Sequence, residues 1–218
     1  MRQRLDELKS TREIPLFGGP WYCTALNPGV VLVNMSRTQA NMTDNREATC
    51  AECTLREDVH YLTGLLCEHH PAFRNAYLLT SATQVGVRET RRIKGTHTLT
   101  GEEYLSALKF HDAVTRGCHP IDIHRAADTG QRCDYLEEAA YIPYRSLTVV
   151  NFPNLLVAGR CLSADEVSSA SARVQATCMG MGQAAGTAAA LCAAGGIAVN
   201  GVDADKLREL LIASGAVI

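Results

Sequence analysis

The sequence predicts an α/β fold, and two observations near the end of the chain carry that prediction. An apolar run from Asn154 to Gly159 is typical of a buried strand. After a polar loop, a segment rich in alanine and glycine predicts a close-packed helix from about Ser171 to Ala194. A buried strand, a loop and a long helix in this order form the repeating unit of open α/β sheets.

The elements before this unit are shorter and of mixed type. Residues 1–13 are charged and favour a helix. Residues 18–20, Gly-Gly-Pro, predict a loop, which an aromatic pair at 21–22 follows. The β-branched run at 30–34 predicts a strand, and the apolar spacing within 56–68 predicts a helix. Residues 77–80 and 84–87 are predicted to form two short strands.

Capping residues, prolines and glycines indicate where the remaining helices and extended segments begin and end. Thr100, followed by Glu103, predicts a helix start with a capping box. Residues 119–124 and 140–145 are predicted to be extended, because a residue before proline avoids the helical region. Gly195 and Gly196 are expected to end the long helix. A last helix is predicted to start at Asp203 and stop at Gly215, burying the leucines Leu207, Leu210 and Leu211.

The composition excludes several classes of partner and compartment. With 218 residues and a net charge of −2, the chain has no global basic field, so neither nucleic acid nor an anionic membrane is an expected partner. The stretch 174–202 has no charged residue, but it contains few Leu, Ile or Phe, which favours a soluble helix over a membrane span. Nine cysteines and a polar beginning argue against a disulfide framework and predict a cytoplasmic protein.

The strand–loop–helix unit is the candidate ligand site. In an open α/β sheet, ligands bind beyond the carboxyl ends of the strands. A helix that starts there directs N–H groups and partial positive charge at the ligand. Gly180, Gly182 and Gly186 form a GxGxxxG string, but it lies inside the helix, so tight packing is a better interpretation than a dinucleotide-binding loop.

Three smaller groups of residues have both a chemical and a structural interpretation. Arg88 and its neighbours Glu89, Arg91 and Arg92 favour either an anion site or a surface ion-pair ladder. Asp122 and His124 share one face of an extended segment, as a proton relay or as structural loop residues, and too few ligands accompany them for a metal site. The pair Cys50 and Cys53 allows a redox dithiol, although incidental cysteines are the favoured interpretation.

Several ordered motifs resemble one family of flavoproteins. The segment NLLVAGRCLSADEVSSASARVQATCMGMGQAAGTAAAL is similar to the closing segment of FAD-dependent oxidoreductases related to the HdrA flavoprotein of heterodisulfide reductase. It resembles L-aspartate oxidase and fumarate reductase flavoproteins more distantly. The motifs GGPWY, GVRETRRIKGTHTLTGEEYL, HPIDIH, YIPYRSL and VDADKLRELL follow the same family in order.

This resemblance implies a fold and a reaction. It implies an incomplete FAD/NAD(P)-binding domain of the glutathione-reductase-like type, plus a mixed α+β cap or substrate domain. Residues 1–146 would belong to the cap or substrate domain and residues 147–218 to the C-terminal portion of the FAD-binding domain. The expected activity is transfer of a hydride or electron pair between a small-molecule substrate and FAD. Relatives are often grouped with iron–sulfur flavoproteins and can carry a 4Fe–4S cluster, but this sequence has no run of closely spaced cysteines for one.

The resemblance also assigns roles to individual residues. Arg173 would bind a substrate carboxylate. By its own chemistry rather than the resemblance, one arginine of the Arg88–Arg92 group, taken as Arg88, would also orient the substrate, and His124 would relay a proton. Six positions would contact the cofactor: Gly159 against the ribityl chain, Arg160 at ribityl or phosphate oxygens, Cys161 beside the flavin, Ser171 at the helix start, and Cys178 and Met179 through backbone N–H groups. No metal ligand is expected.

One expected part is missing from the sequence. The family holds the ADP half of FAD with a strand, a GxGxxG loop and a helix, and no such unit precedes Gly159. The expectation is therefore either a separate N-terminal FAD-binding half or a non-catalytic remnant that docks on a partner. A thiol-redox protein built on Cys50 and Cys53 is a third alternative.

Overall fold

The computed structural model describes residues 2–9, 14–124 and 131–218, which separate into two compact units. The first contains the described residues up to Val87, and the second contains residues 88–124 and 131–218. The predicted boundary between residues 146 and 147 lies inside the second unit. The assignment of a cap portion and an FAD-domain portion therefore stays a prediction.

The first unit packs two helices on a two-stranded antiparallel sheet. Its elements are α1 (Arg2–Lys9), β1 (Phe17–Thr24), β2 (Val31–Ser36), α2 (Asn45–His69) and a short 3₁₀ turn (Pro71–Phe73). The loop predicted at 18–20 is wrong, because these residues lie within β1, at an irregularity of the register between Phe17 and Trp21. Trp21 and Tyr22 then pair with β2. The core of this unit consists of Leu5, Phe17, Met35, Leu62, Leu65 and Leu66.

The helix predicted at 56–68 is confirmed and is longer than expected. It begins at Asn45, because the Asp44 carboxylate accepts the N–H groups of Arg46 and Glu47 at 2.8 and 3.1 Å. The strands predicted at 77–80 and 84–87 are wrong, since both stretches lack strand structure. Side chains of α2, rather than a neighbouring strand, form hydrogen bonds with the backbone of this segment. Arg56 donates to Thr83 O at 3.0 Å, and Glu52 accepts the Val85 N–H at 2.8 Å.

The described residues of the second unit form six strands and four α-helices. The strands are β3 (Ala113–Gly117), β4 (Ile121–His124), β5 (Gln131–Asp134), β6 (Ala140–Pro143), β7 (Thr148–Val149) and β8 (Phe152–Leu156). The helices are α3 (Gly101–Leu105), α4 (Glu166–Ala172), α5 (Gln175–Gly195) and α6 (Ala204–Ala213). The strands pair as β3–β6, β4–β5 and β7–β8, all antiparallel. The fold is thus mixed α/β with small sheets.

A single core holds the second unit together. The largest fully buried side chains are Tyr104, Leu99, Ile121, Ile142, Leu147, Met181, Leu207 and Leu211. The capping box at Thr100 is confirmed, with the Glu103 N–H donating to Thr100 Oγ1 and the Thr100 N–H to Glu103 Oε2. The last helix is also confirmed with Asp203 as its N-cap, although Leu210 is 40% exposed rather than buried.

Two predictions about the strand–loop–helix unit are wrong. The apolar strand is not buried: β8 pairs only with β7 among the described strands, and Leu155 is 43% exposed. The helix does not begin at Ser171, because α4 ends at Ala172 and α5 begins only at Gln175. Val174 separates the two helices with an extended backbone at ψ 153°. The predicted C-terminal end is confirmed, with Gly196 in the left-handed conformation.

The three glycines of α5 have different surroundings. A Cβ atom at Gly180 would overlap the Thr115 hydroxyl of β3, which confirms the predicted close packing at this position. At Gly182 and Gly186 a Cβ atom would meet nothing within 4 Å, so the packing role predicted for these two is wrong in this structure.

Among the described helices, none combines the length and the apolar character that a membrane crossing requires.

Candidate functional site

The loop that follows β8 turns sharply at Gly159. Gly159 has a φ of +87°, a conformation that glycine adopts without strain, and its carbonyl accepts the Leu162 N–H at 3.1 Å. The Cys161 thiol lies over the same turn and donates to Ala158 O at 3.6 Å. The turn therefore places Gly159, Arg160 and Cys161 together at the end of the strand.

This turn lies against the first turns of α5. A Cβ atom built at Gly159 would lie 3.8 Å from Cys178 Sγ and would meet no other atom within 4 Å. The Cys178 thiol donates in turn to Arg173 O at 3.2 Å. The adjacency of the strand tip and the beginning of the Ala/Gly-rich helix, which the sequence predicted, is therefore present.

Burial and three neighbouring side chains influence the protonation of the Cys178 thiol. Burial raises the pKa of its thiol, the Arg160 guanidinium opposes that effect, and the neighbouring thiol of Cys161 adds to it. Arg173 also favours the thiolate. Cys178 is thus a protonated thiol at neutral pH and a small apolar contact rather than a nucleophile.

A second group of side chains meets at Asp122 of β4. Its Oδ2 atom lies 2.9 Å from His124 Nε2, 3.1 Å from Arg88 Nη1 and 3.3 Å from Arg173 Nη2. Arg173 Nη2 also donates to the Asp122 carbonyl oxygen at 3.2 Å. The three residues predicted to act in catalysis, Arg88, His124 and Arg173, therefore share one carboxylate oxygen.

The group is largely shielded from water. The side chains of Asp122, His124 and Arg173 are 12–15% exposed, whereas that of Arg88 is 42% exposed. Burial and the nearby Arg88 lower the pKa of Arg173, and the Asp122 carboxylate partly offsets this by raising it. Because two guanidinium groups share one carboxylate, the group carries an excess of positive charge.

Arg173 joins the two halves of the site. Its backbone carbonyl accepts the Cys178 thiol, and its guanidinium reaches Asp122. It lies at the break between α4 and α5, where its N–H donates to Ser169 O at 3.2 Å. The break therefore directs Arg173 to Asp122 while α5 stays close to Gly159.

Ser171 does not take the place that the sequence predicted for it. Its side chain is fully buried near the end of α4. Its hydroxyl donates to the His119 carbonyl and lies 2.9 Å from Tyr104 Oη. The hydroxyl of Ser171 is thus part of the core. The prediction that a helix starts at Ser171 is wrong, because this residue lies inside α4, whereas its contact with the cofactor stays a prediction.

Cys178 and Met179 were predicted to offer backbone N–H groups to the flavin. The Cys178 N–H already donates to Val174 O at 2.9 Å, because the helix begins too early in the chain to leave this group free. Met179 lies one residue further along the helix, and it is 74% exposed. The N–H groups at the start of α5 are those of residues 175–177, where Val174 supplies no side-chain cap.

Sequence reasoning placed Asp122 and His124 on one face, and their 2.9 Å contact confirms that placement. It missed Asp122 as the partner of Arg88, for which it considered Glu89. In the structure Glu89 pairs with Arg92 at 3.4 Å instead. The two-residue spacing was the available signal for His124, whereas no local pattern indicated that Arg88 and Arg173 converge on Asp122.

The remaining cysteines and acidic groups form no further site among the described residues. Cys50 and Cys53 are exposed free thiols on α2, in the first unit. Within the part of the chain that the structure describes, no group of three or more His, Cys, Asp or Glu side chains is arranged to hold a metal ion.

Comparison with known proteins gives one match. The family model described as FAD dependent oxidoreductase matches residues 4–211, nearly the whole chain. No curated protein and no solved structure matches the chain.

Proposed function

The chain belongs to the FAD-dependent oxidoreductase family, and we propose on that premise that its second unit meets the flavin ring and an anionic small-molecule substrate. The cofactor side is the turn at Gly159 with the beginning of α5. The substrate side is the group of Arg88, His124 and Arg173 around Asp122. The observation that carries the proposal is the position of Arg173, which touches both sides.

The residues of the cofactor side fit a flat aromatic ring. Gly159 has no side chain, and among the described residues beyond its chain neighbours only the Cys178 thiol lies within 4 Å of a Cβ built there. The start of α5 carries no side-chain cap, so its first N–H groups and its partial positive charge suit an acceptor with negative charge. Gly159, Arg160, Cys161 and the backbone of residues 175–177 would hold the ring.

FAD, when bound, supplies the acceptor or donor of a hydride or electron pair. The residues of the chain supply orientation and a proton. Arg173 and Arg88 would bind a substrate carboxylate, for which guanidinium groups have matching geometry. The Asp122 carboxylate orients the His124 imidazole, which would exchange a proton with the substrate as a general acid or base. We therefore propose oxidation or reduction of a carboxylate-bearing substrate.

We further propose that the phosphates of FAD are held by a separate dinucleotide-binding half. The basis is that the sequence has no GxGxxG loop between a strand and a helix. The exposed side chains of β8, among them Leu155, are consistent with a neighbouring sheet in that half. The alternative is a remnant without catalysis that docks on a partner and holds no flavin.

A flavin titration tests the cofactor site. Gly159→Ala introduces a side chain into the turn, and Gly215→Ala is its matched control, since Gly215 also has a positive φ (+79°) and open space around it. Both variants should lose about 1–2 kcal/mol of stability from the left-handed backbone. Only Gly159→Ala should weaken the quenching of flavin fluorescence by the protein. Equal flavin affinity in the two variants would contradict the proposed site. No quenching by the wild-type chain would favour either the remnant or the need for the separate dinucleotide-binding half.

A further inference from the structure

The Asp122 carboxylate joins side chains from three parts of the chain. His124 is two residues away, whereas Arg88 and Arg173 lie 34 and 51 residues away in the sequence. Their contacts with Oδ2 are between 2.9 and 3.3 Å. A carboxylate oxygen has few lone pairs, so three donors on one oxygen fix its position and theirs.

The group retains donors for another anion. Among the described residues, Arg88 uses only Nη1 and Arg173 only Nη2 in hydrogen bonds. A guanidinium carries five N–H groups, so several remain on both arginines. Glu89, the nearby acidic residue that also influences Arg173, is paired with Arg92. Positive charge and N–H donors are therefore present together, beside the more exposed Arg88.

Asp122 is what keeps the arginines together. Arg173 is largely buried, and two guanidinium groups at this separation repel each other. A buried charge without its partner is costly, so the carboxylate that both guanidinium groups contact offsets their repulsion and favours their closeness. A long arginine side chain without such a partner has many rotamers to lose when it binds a ligand.

We propose that Asp122 is the positioning residue of this site, and that it holds Arg88 and Arg173 so that their remaining N–H groups bind a carboxylate-bearing small molecule. This inference rests on the proposed function in taking that molecule as the substrate, and it adds the residue that orders the arginines. The opposite behaviour is physically possible: if charge alone governed binding, removing the carboxylate would make anions bind more tightly. The direction in which anion affinity changes when the carboxylate is removed therefore decides between positioning by Asp122 and binding governed by charge alone.

The test is a titration with malonate. Binding is monitored by NMR as shifts of the Nε–Hε signals of the arginine side chains. Asp122→Asn removes the negative charge, and Asp134→Asn is the matched control. Asp134 lies on the paired strand β5 and forms an exposed ion pair with Arg132 at 2.5 Å. Malonate should shift the Arg88 and Arg173 signals equally in the wild type and in Asp134→Asn. Asp122→Asn should weaken malonate binding by about tenfold, the loss of roughly one charge-assisted contact.

Asp122→Glu separates positioning from charge, because it keeps the carboxylate but moves it by one methylene. Its malonate affinity should lie between those of the wild type and Asp122→Asn. If Asp122→Asn does not fold, as judged by its amide spectrum, Asp122→Glu carries the test alone and must still bind malonate more weakly than the wild type. Unchanged or tighter binding in the folded variants overturns the proposal, and so does the absence of malonate-dependent shifts in the wild type. Flavin plays no part in this titration, so a failure of the cofactor site is recognised separately.

Discussion

Arg173 is bonded twice to Asp122 through a single nitrogen: Nη2 lies 3.2 Å from the carbonyl oxygen and 3.3 Å from Oδ2. The two bonds connect the junction of α4 and α5 to strand β4. The same residue accepts the Cys178 thiol through its backbone carbonyl. Arg173 is thus a structural connection as well as the candidate ligand of a substrate carboxylate.

Replacing Arg173 with lysine should destabilise the second unit. A lysine ammonium keeps the charge, but its nitrogen ends closer to the backbone than Nη2 does, so it cannot reach both oxygens with the same geometry. Hydrogen bonds to charged groups contribute about 1.5–3 kcal/mol. We expect Arg173→Lys to lower the free energy of unfolding by about 1–3 kcal/mol in urea. Arg88→Lys is the control, since Arg88 is 42% exposed and makes one contact, and its cost should be below about 0.5 kcal/mol. Equal costs would contradict the structural role of Arg173.

Gly180 and Gly182 should respond in opposite directions to the same substitution. In Gly180→Ala the new methyl group overlaps the Thr115 hydroxyl, and overpacking of this kind costs about 1–3 kcal/mol. In Gly182→Ala the methyl group meets open space, and alanine favours a helix over glycine by about 0.5–1 kcal/mol. Thermal unfolding of the two variants measures the difference. A Gly180→Ala variant as stable as Gly182→Ala would show that α5 does not pack on β3 as described.

The stability of the second unit should depend on pH through Asp165, the N-cap of α4. Burial disfavours its charged form, but the N–H groups of Ser168 and Gly101 outweigh that effect and lower the pKa of the carboxyl. Since the folded-state pKa lies below the unfolded value of about 3.9, the stabilisation is complete above that pH. It is lost as the pH falls through the folded-state pKa.

Asp165→Asn tests this dependence. Asparagine can still cap α4, but its amide group cannot accept both bonds, so we expect a loss of about 1 kcal/mol at pH 7. The difference from the wild type should begin to shrink below about pH 4, where the carboxyl of the unfolded chain becomes protonated, and should vanish only below the lowered folded-state pKa. Urea unfolding at pH 7 and pH 3 measures it, with Asp203→Asn at the N-cap of α6 as a control for the capping chemistry. A difference that stays constant over this range would argue against a charged Asp165.

Cys178 should react slowly with alkylating reagents. Burial raises the pKa of its thiol, and the thiolate is the reactive form. We expect iodoacetamide at pH 8 to label the exposed Cys133 several-fold faster than Cys178, as followed by mass spectrometry of the peptides. Raising the pH should reduce the ratio of the two labelling rates, because it increases the thiolate fraction at Cys178. Equal labelling rates in the folded protein would place Cys178 at the surface.

Features controlled by near neighbours in the chain could be predicted well. Thr100 and Glu103 form the expected capping box, and Gly196 ends α5 in the expected left-handed conformation. Asp122 and His124 share a face because side chains alternate along a strand. By contrast, the position of Ser171 was wrong, since the residues around Arg173 favour a helix locally and the break depends on contacts with other elements.

The sequence by itself determined the family, the local helix ends and the candidate residues, because motifs and caps depend on residue types at short spacings. Only the tertiary structure decided that Arg88 and Arg173 meet at Asp122, that the hydroxyl of Ser171 belongs to the core, and that β8 is exposed. These outcomes depend on which distant segments pack together. Such contacts arise from the burial of side chains across the whole unit, a property that no short stretch of sequence contains.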